Sequence, residues 1–200
     1  TRPTLAYDPI GKRLVFMKDY WRPKDNHKEG DIYAHLRNHG VRHIAPFGAG
    51  NDVRDHATVT AKFAKEEWSC IPSPANDVKP IIPELVQYRM ILLVLGRTLN
   101  EYDCTKQFVG AVRDAMEAHD DAYFKAKVLH RDISVGNILI TETGGLLIDW
   151  DVSVMMDFPP QKMERKGTWP FMSVNILQDP DATHGIEDDR EAAFWLILWI

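Results

Sequence analysis

Within the stretch VLHRDISVGNILI the chain carries His130-Arg131-Asp132, then Asn137 five positions after the Asp, and Asp149 twelve positions further on in LLIDWD. Asp132, Asn137 and Asp149 carry hard oxygen donors. They suit Mg²⁺, which takes only one or two ligands from a protein and the rest from phosphates and water. Asn137 and Asp149 supply such a pair, which leaves Asp132 to accept a proton from an attacking hydroxyl as a general base. Phosphoryl transfer asks a protein for little more than this positioning and charge neutralisation. The plainer alternative is an Asp-rich turn whose polar side chains satisfy one another. Apolar runs on both sides clamp the segment in a core, where uncompensated charge is expensive, so one of these two accounts is required and the rest of the sequence decides between them.

Groups that act at one point have to be held by rigid elements, and the chain supplies candidates. GKRLVFMKDYW reads as a strand following the turn DPIG. HKEGDIYAHLRNHG reads as a helix with Ile32 and Leu36 inward and a stop at His39-Gly40. HIAPFGAGND is a loop or short strand, and YRMILLVL a second buried strand that ends at Gly96. Residues 68–83, with Pro72, Pro74, Pro80 and Pro83, form an irregular connector. TKQFVGAVRDAMEAHDDAYFKA places Phe108, Val112, Met116 and Tyr123 at helical spacing, so these make its expected core face. NILI and GLLID, joined by TETGG, make a hairpin. A long loop through Pro159-Pro160 leads to a last helix starting near Asp188, whose acid suits the positive end of a helix dipole. The order predicts an α+β fold with a cleft between a strand-rich and a helix-rich half.

At 200 residues the chain is one domain or a small two-lobed one. Its 44% hydrophobic and 26% charged content is that of a soluble globular protein. A net charge of −5 without a basic stripe argues against a nucleic-acid partner. Cys70 and Cys104 stand 34 residues apart with no CxxC, which fits free thiols in a reducing compartment better than a disulfide or a metal site. No signal peptide is visible, and AAFWLILWI is far shorter than the roughly 20 apolar residues a bilayer span needs. An intracellular, cytoplasmic protein without a membrane partner is the expectation; composition leaves its oligomeric state open. The chain starts without Met and stops inside that apolar run, so it is expected to be a piece of a longer domain.

The segments VFMKDYWR, KEGDIYAHL, HRDISVGNILI, LLIDWDVS, GTWPFMS and DDREAAFWLILWI follow one another along nearly the whole chain. On them the chain resembles a eukaryotic-type protein kinase domain, most of all the fungal-type protein kinase family. The resemblance implies a two-lobed kinase-like fold truncated at both ends, with residues 1–95 as the strand-rich N-lobe and 96–200 as the helix-rich C-lobe. It implies ATP and Mg²⁺ as cofactors, and transfer of the γ-phosphate to Ser or Thr of a protein substrate. Lys18 then matches the lysine that holds the α and β phosphates, and Glu29 its helix partner. Asp132 matches the base, Arg131 the anchor of the activation segment, Asn137 and Asp149 the metal ligands. Thr168 matches the threonine that hydrogen-bonds the base, and Asp189 the buried acid that braces the catalytic loop. Without the family, Lys18 also reads as a snorkelling surface lysine, Glu29 as part of a solvated helix face, and Thr168 as a turn residue. His130 reads as a packed, hydrogen-bonded core histidine.

Several positions depart from the kinase pattern. Ser134 stands where Ser/Thr kinases carry a lysine for the transferring phosphate. Asp149-Trp150-Asp151 replaces Asp-Phe-Gly, and Asp151 lacks glycine's freedom at positive φ, which predicts a stiffer segment. FMSVNIL lacks Ala-Pro-Glu. Residues 154–167 contain no Ser, Thr or Tyr, so Asp157 or Glu164 is expected to pair with Arg131 in place of a phosphate. No glycine-rich phosphate loop precedes Lys18, and one is expected upstream. Two competing functions remain: a small-molecule phosphotransferase of the aminoglycoside or choline type, which shares the IDWD arrangement, and a pseudokinase scaffold.

Overall fold

Strands β1 (Arg2–Asp8), β2 (Arg13–Pro23), β3 (Phe47–Ala57) and β4 (Leu85–Leu92) form an antiparallel sheet in the order β1-β2-β4-β3. The computed structural model of the chain describes residues 2–63, 82–157, 166–179 and 181–200. Along β2 the side chains alternate as a strand requires: Lys18, Tyr20 and Arg22 are buried on one face, while Trp21 is exposed on the other. Lys18 is therefore no snorkelling surface residue; it sits opposite Met90 of β4 in the middle of the sheet. The turn that precedes β2 is the connection of a hairpin. β1 pairs in register from Arg2–Asp19 to Asp8–Arg13, and Asp8 accepts the N–H groups of Ile10 and Gly11. β3 runs eleven residues, longer than a short strand, with a register shift between Asp52 and Ala57.

Helix α1 (Glu29–Asn38) lays Ile32, Tyr33 and Leu36 into the core. A Cβ on its Gly30 would lie 2.6 Å from both the Phe47 ring and Tyr88 Oη, so only glycine lets the helix come this close. Gly30 N–H donates to Tyr88 Oη at 3.1 Å, which satisfies a first-turn donor that no side-chain cap reaches. The helix begins six residues after β2 ends, and this short link sets Glu29 beneath Lys18.

Helix α2 (Thr105–Ala126) buries Phe108 and Val112, but the rest of its core face is Ala111, Ala115, Ala118 and Ala122; Met116 and Tyr123 are only half-buried. Small residues there let the helix ride closely on a hairpin that follows. After the short β5 (Arg97–Thr98) and β6 (Val128–Leu129) come β7 (Ile138–Thr141) and β8 (Gly144–Leu147), and β5, β7 and β8 form a three-stranded antiparallel sheet in that order, with β7 and β8 paired from Ile138–Leu147 to Thr141–Gly144. Gly145 meets the Ala111 backbone with no room for a Cβ, and its N–H donates to the buried Asp114 carboxylate at 2.8 Å. β9 (Val154–Met155) pairs with β6 and draws residues 149–153 alongside 130–132. The short α3 (Val174–Gln178) and the longer α4 (Ile186–Trp199) close the chain.

One apolar core continues from Tyr20 and Met90 of the sheet through Leu36 to Ala115, Ile138 and Leu196. The mixed α/β character agrees with the sequence reading. Among the described residues, no helix is long and apolar enough to cross a membrane. Cys104 is an exposed free thiol. Cys70, most of the 68–83 connector, Pro159-Pro160 and Glu164 lie outside the described residues.

Candidate active site

The β2 lysine converges on acids from two other elements. Lys18 Nζ lies 2.7 Å from Glu29 Oε2, 2.6 Å from Asp149 Oδ1 and 3.2 Å from Asp151 Oδ2, and 4.2 Å from the centre of the Tyr20 ring. Burial alone would push the Lys18 ammonium down, but Glu29, Asp149 and Asp151 outweigh it and hold its pKa above the ordinary lysine value. Burial pushes the Glu29 carboxyl up, against the pull of Lys18 and of the Trp150 N–H that donates to Oε1 at 3.1 Å. For Asp149 burial also acts upward, and Lys18 overcomes it to leave the carboxyl below the usual range. Asp151 is pushed up to about 7, chiefly by burial, and Asp149 and Glu29 beside it add to the rise against Lys18.

Asp132, Asn137 and Thr168 meet at a second point. Thr168 donates to Asp132 Oδ1 through both its N–H, at 2.8 Å, and its hydroxyl, at 2.7 Å. Asn137 Nδ2 donates to Asp132 Oδ2 at 2.9 Å and to its carbonyl oxygen at 2.8 Å. The turn Val135–Asn137 that makes this possible is 3₁₀, and Ile148 N–H donates to the Asn137 carbonyl at 2.9 Å, which stitches it to the strand leading to Asp149. His130 is fully buried. Its Nε2 donates to the Ile148 carbonyl at 3.1 Å while Nδ1 accepts the Asp132 N–H at 3.2 Å, so the ring serves as a neutral spacer and burial holds its pKa down. The Trp150 ring packs edge-on against it at 4.6 Å.

Two residues of this site, Arg131 (φ 73) and Asp149 (φ 69), adopt the left-handed conformation. That costs a non-glycine residue on the order of 1–3 kcal/mol, so it persists only where the surroundings over-determine it. For Arg131 the surroundings are Asp189 at the start of α4, whose Oδ2 accepts the Arg131 N–H at 3.0 Å and also bonds His119 Nε2 at 2.9 Å. Its other oxygen bonds His184 Nε2 at 2.9 Å. Burial raises the Asp189 carboxyl, but the two histidines outweigh that and hold it far below the usual carboxylate range.

A family model described as fungal protein kinase matches residues 2–200. The chain belongs to the fungal protein kinase family. No curated protein matches it. Membership makes kinase-type phosphotransfer its class of activity.

For this fungal protein kinase the donor chemistry fits a divalent cation. Asn137 commits its Nδ2 to Asp132, so the oxygen of its side-chain amide is what it offers, and Asp149 adds a carboxylate that Lys18 holds. The structure brings Lys18, Glu29 and Asp149 together at one point and Asp132, Asn137 and Thr168 at another. Arg131 differs from the group: its side chain is buried and its Nη1 reaches the Val152 carbonyl at 3.4 Å. Asp157 is exposed, and Glu164, the other acid expected to face Arg131, is outside the described residues.

The backbone and the packing bear on two of the departures from the kinase pattern. The positive φ of Asp149-Trp150-Asp151 falls on Asp149 and not on Asp151. The Asp151 carboxylate is turned to Lys18. The FMSVNIL segment does have an anchor. Ser173 Oγ, buried, donates to Asp188 Oδ1, and Val174 N–H donates to Glu191 Oε1 at 2.9 Å, both acids lying in α4. Sequence pattern does not single out His119, His184, Ser173 or Tyr33 as site-supporting residues. For the first three the one signal is the acidic opening of α4, which demands partners once it is buried.

Proposed function

We propose that the chain transfers the γ-phosphate of ATP, held with Mg²⁺, to Ser or Thr hydroxyls of a protein substrate, in a two-lobed fold divided into residues 1–95 and 96–200. The observation that carries this reading is the hold on Asp132. A carboxylate has about four lone-pair sites. Thr168 takes two on Oδ1 and Asn137 takes one on Oδ2, which reserves one site on Oδ2 for an acceptor hydroxyl. Asp132 then receives the hydroxyl proton as the oxygen attacks phosphorus.

Lys18 binds the α and β phosphates, and Glu29, fixed from α1, keeps its ammonium aimed there. Asn137 and Asp149 would hold Mg²⁺. When bound, that ion neutralises charge on the phosphates. Asp189 positions the loop through the Arg131 amide. Ser134 is buried and brings no cation to the transferring phosphate. A peptide acceptor is supported by Trp169, which follows Thr168 and is 70% exposed. Exposed aromatic surface beside a reactive group suits a chain segment laid across it better than a small alcohol.

The test is an acceptor panel. The full chain is incubated with γ-labelled ATP and Mg²⁺, basic proteins and small alcohols, followed by phosphoamino-acid analysis. Label on protein Ser and Thr supports the proposal. Label confined to small alcohols replaces it with the small-molecule phosphotransferase, and ATP binding with no label on any acceptor replaces it with a scaffold.

A further inference from the structure

Lys18 Nζ stands where three carboxylates meet, and one oxygen from each of Glu29, Asp149 and Asp151 lies within 4.8 Å of the other two. One ammonium among three carboxylates leaves a formal excess of two negative charges in a largely buried place, and such an excess is costly. Glu29 is tied by its second oxygen to the Trp150 N–H and stays with α1. Asp149 and Asp151 flank Trp150, whose side chain is fully buried and edge-on to His130, so the two carboxylates are delivered as a pair. Tyr33 marks the same place independently. Its hydroxyl is buried, completes no hydrogen bond of normal geometry, and faces the backbone of Asp149. A polar atom of that kind is normally completed by water or by a hydrated ion.

We propose that Asp151 is a ligand for a divalent cation, paired with Asp149, and that the place the Lys18 ammonium takes between them is the cation's. The inference rests on the phosphotransfer reading, in which Lys18 turns to a phosphate. Asp149 and Asp151 then lose their shared positive partner, and a pair of hard carboxylate oxygens is matched to Mg²⁺. Asp149 and Asp151 are then the cation's two protein ligands, and phosphates and water complete its shell. A chain with glycine after the aromatic residue has no second carboxylate to offer, which gives the Asp-Trp-Asp departure a chemical role.

Mn²⁺, followed through the paramagnetic resonance signal of the free ion, reports this without catalysis. In the full chain saturated with a non-hydrolysable ATP analogue, Asp151→Asn is expected to weaken Mn²⁺ binding at least tenfold. In EDTA the same variant binds the analogue as tightly as the unaltered chain or more tightly, because Lys18 has lost a competitor. Unchanged Mn²⁺ affinity overturns the proposal and leaves Asp151 a partner of lysine alone. The cradle is also tested without nucleotide. Mn²⁺ is expected to bind Lys18→Met and raise its melting temperature, and to do neither in Lys18→Met/Asp151→Asn. A folded Lys18→Met that ignores Mn²⁺ overturns the cradle while the kinase reading stands. Mn²⁺ on Lys18→Met, with no analogue bound by the unaltered chain, overturns the kinase reading and keeps the cradle. Should Lys18→Met fail to fold, the Asp151→Asn comparison decides.

Discussion

Thr168 donates twice to one oxygen of Asp132, by its backbone N–H and by its hydroxyl, across 36 residues of chain. Asp132 is thereby positioned from outside its own turn, by the segment that leads into Trp169. Thr168→Ala removes one of the two donors and keeps the other. A hydrogen bond to a charged group is worth about 1.5–3 kcal/mol, so kcat is expected to fall roughly 10- to 100-fold. ATP affinity stays unchanged, and Thr168→Ser recovers most of the rate. Steady-state kinetics with a separate nucleotide titration checks this; full activity in the alanine variant contradicts it.

Glu29 binds Lys18 with one oxygen and the Trp150 amide with the other, at 1% exposure. Glu29→Ala leaves a buried ammonium facing only Asp149 and Asp151 and strands a backbone donor. Removing one partner of a buried pair costs about 3–5 kcal/mol, a drop of roughly 10 °C in melting temperature for a domain of this size. Glu29→Gln keeps the shape and an acceptor, and should fall between the two. Thermal melts by circular dichroism give the order.

Asp189 predicts an acid limit to stability. Its folded pKa is held far below the value of about 3.9 for an unfolded Asp. Between those two values the unfolded chain binds the extra proton, so stability rises with pH there. The contribution is complete above about pH 4 and fades as pH falls toward the folded pKa. Melting temperatures taken from pH 6 down to pH 3 are expected to drop, and Asp189→Asn, less stable at pH 6, to show the shallower slope. Parallel slopes would remove Asp189 from the acid transition.

Two glycines separate packing from chain entropy. Gly110 of α2 has nothing within 4 Å of a Cβ, whereas Gly145 abuts the Ala111 backbone. Gly110→Ala is expected to stabilise by about 0.5–1 kcal/mol, and Gly145→Ala to destabilise by about 1–3 kcal/mol because α2 has to move off the hairpin. Urea titrations read both; equal effects would contradict the close α2–β8 contact.

Much of the site is legible in the sequence because it is local. HRDISVGN is a single turn, and the strand leading to Asp149 belongs to the hairpin that follows it, so spacing carries both the candidate chemistry and the fold. Lys18 and Glu29 stand eleven residues apart on different elements, and residue types alone leave them as surface charges; the family resemblance picks them out. Side-chain size misleads on α2, where Met116 and Tyr123 look like core and an alanine stripe makes the contact. β1 is hidden because its turn also reads as the start of β2. No periodicity announces hydrogen bonds such as Ser173 to Asp188 or His119 to Asp189, which exist only once α4 is docked. Asp151 is conspicuous by type, yet its meeting with Lys18, 133 residues away, is a tertiary fact.

The most direct measurement is single-turnover transfer of labelled γ-phosphate from ATP·Mg²⁺ to protein by the full chain, set against Asp132→Asn with nucleotide binding titrated in both. The account predicts label on Ser and Thr from the unaltered chain, and a loss of about 10²–10⁴-fold in the variant at equal ATP affinity, the contribution of a positioned general base. Transfer undiminished in Asp132→Asn, or no transfer from an unaltered chain that binds ATP·Mg²⁺, would contradict it.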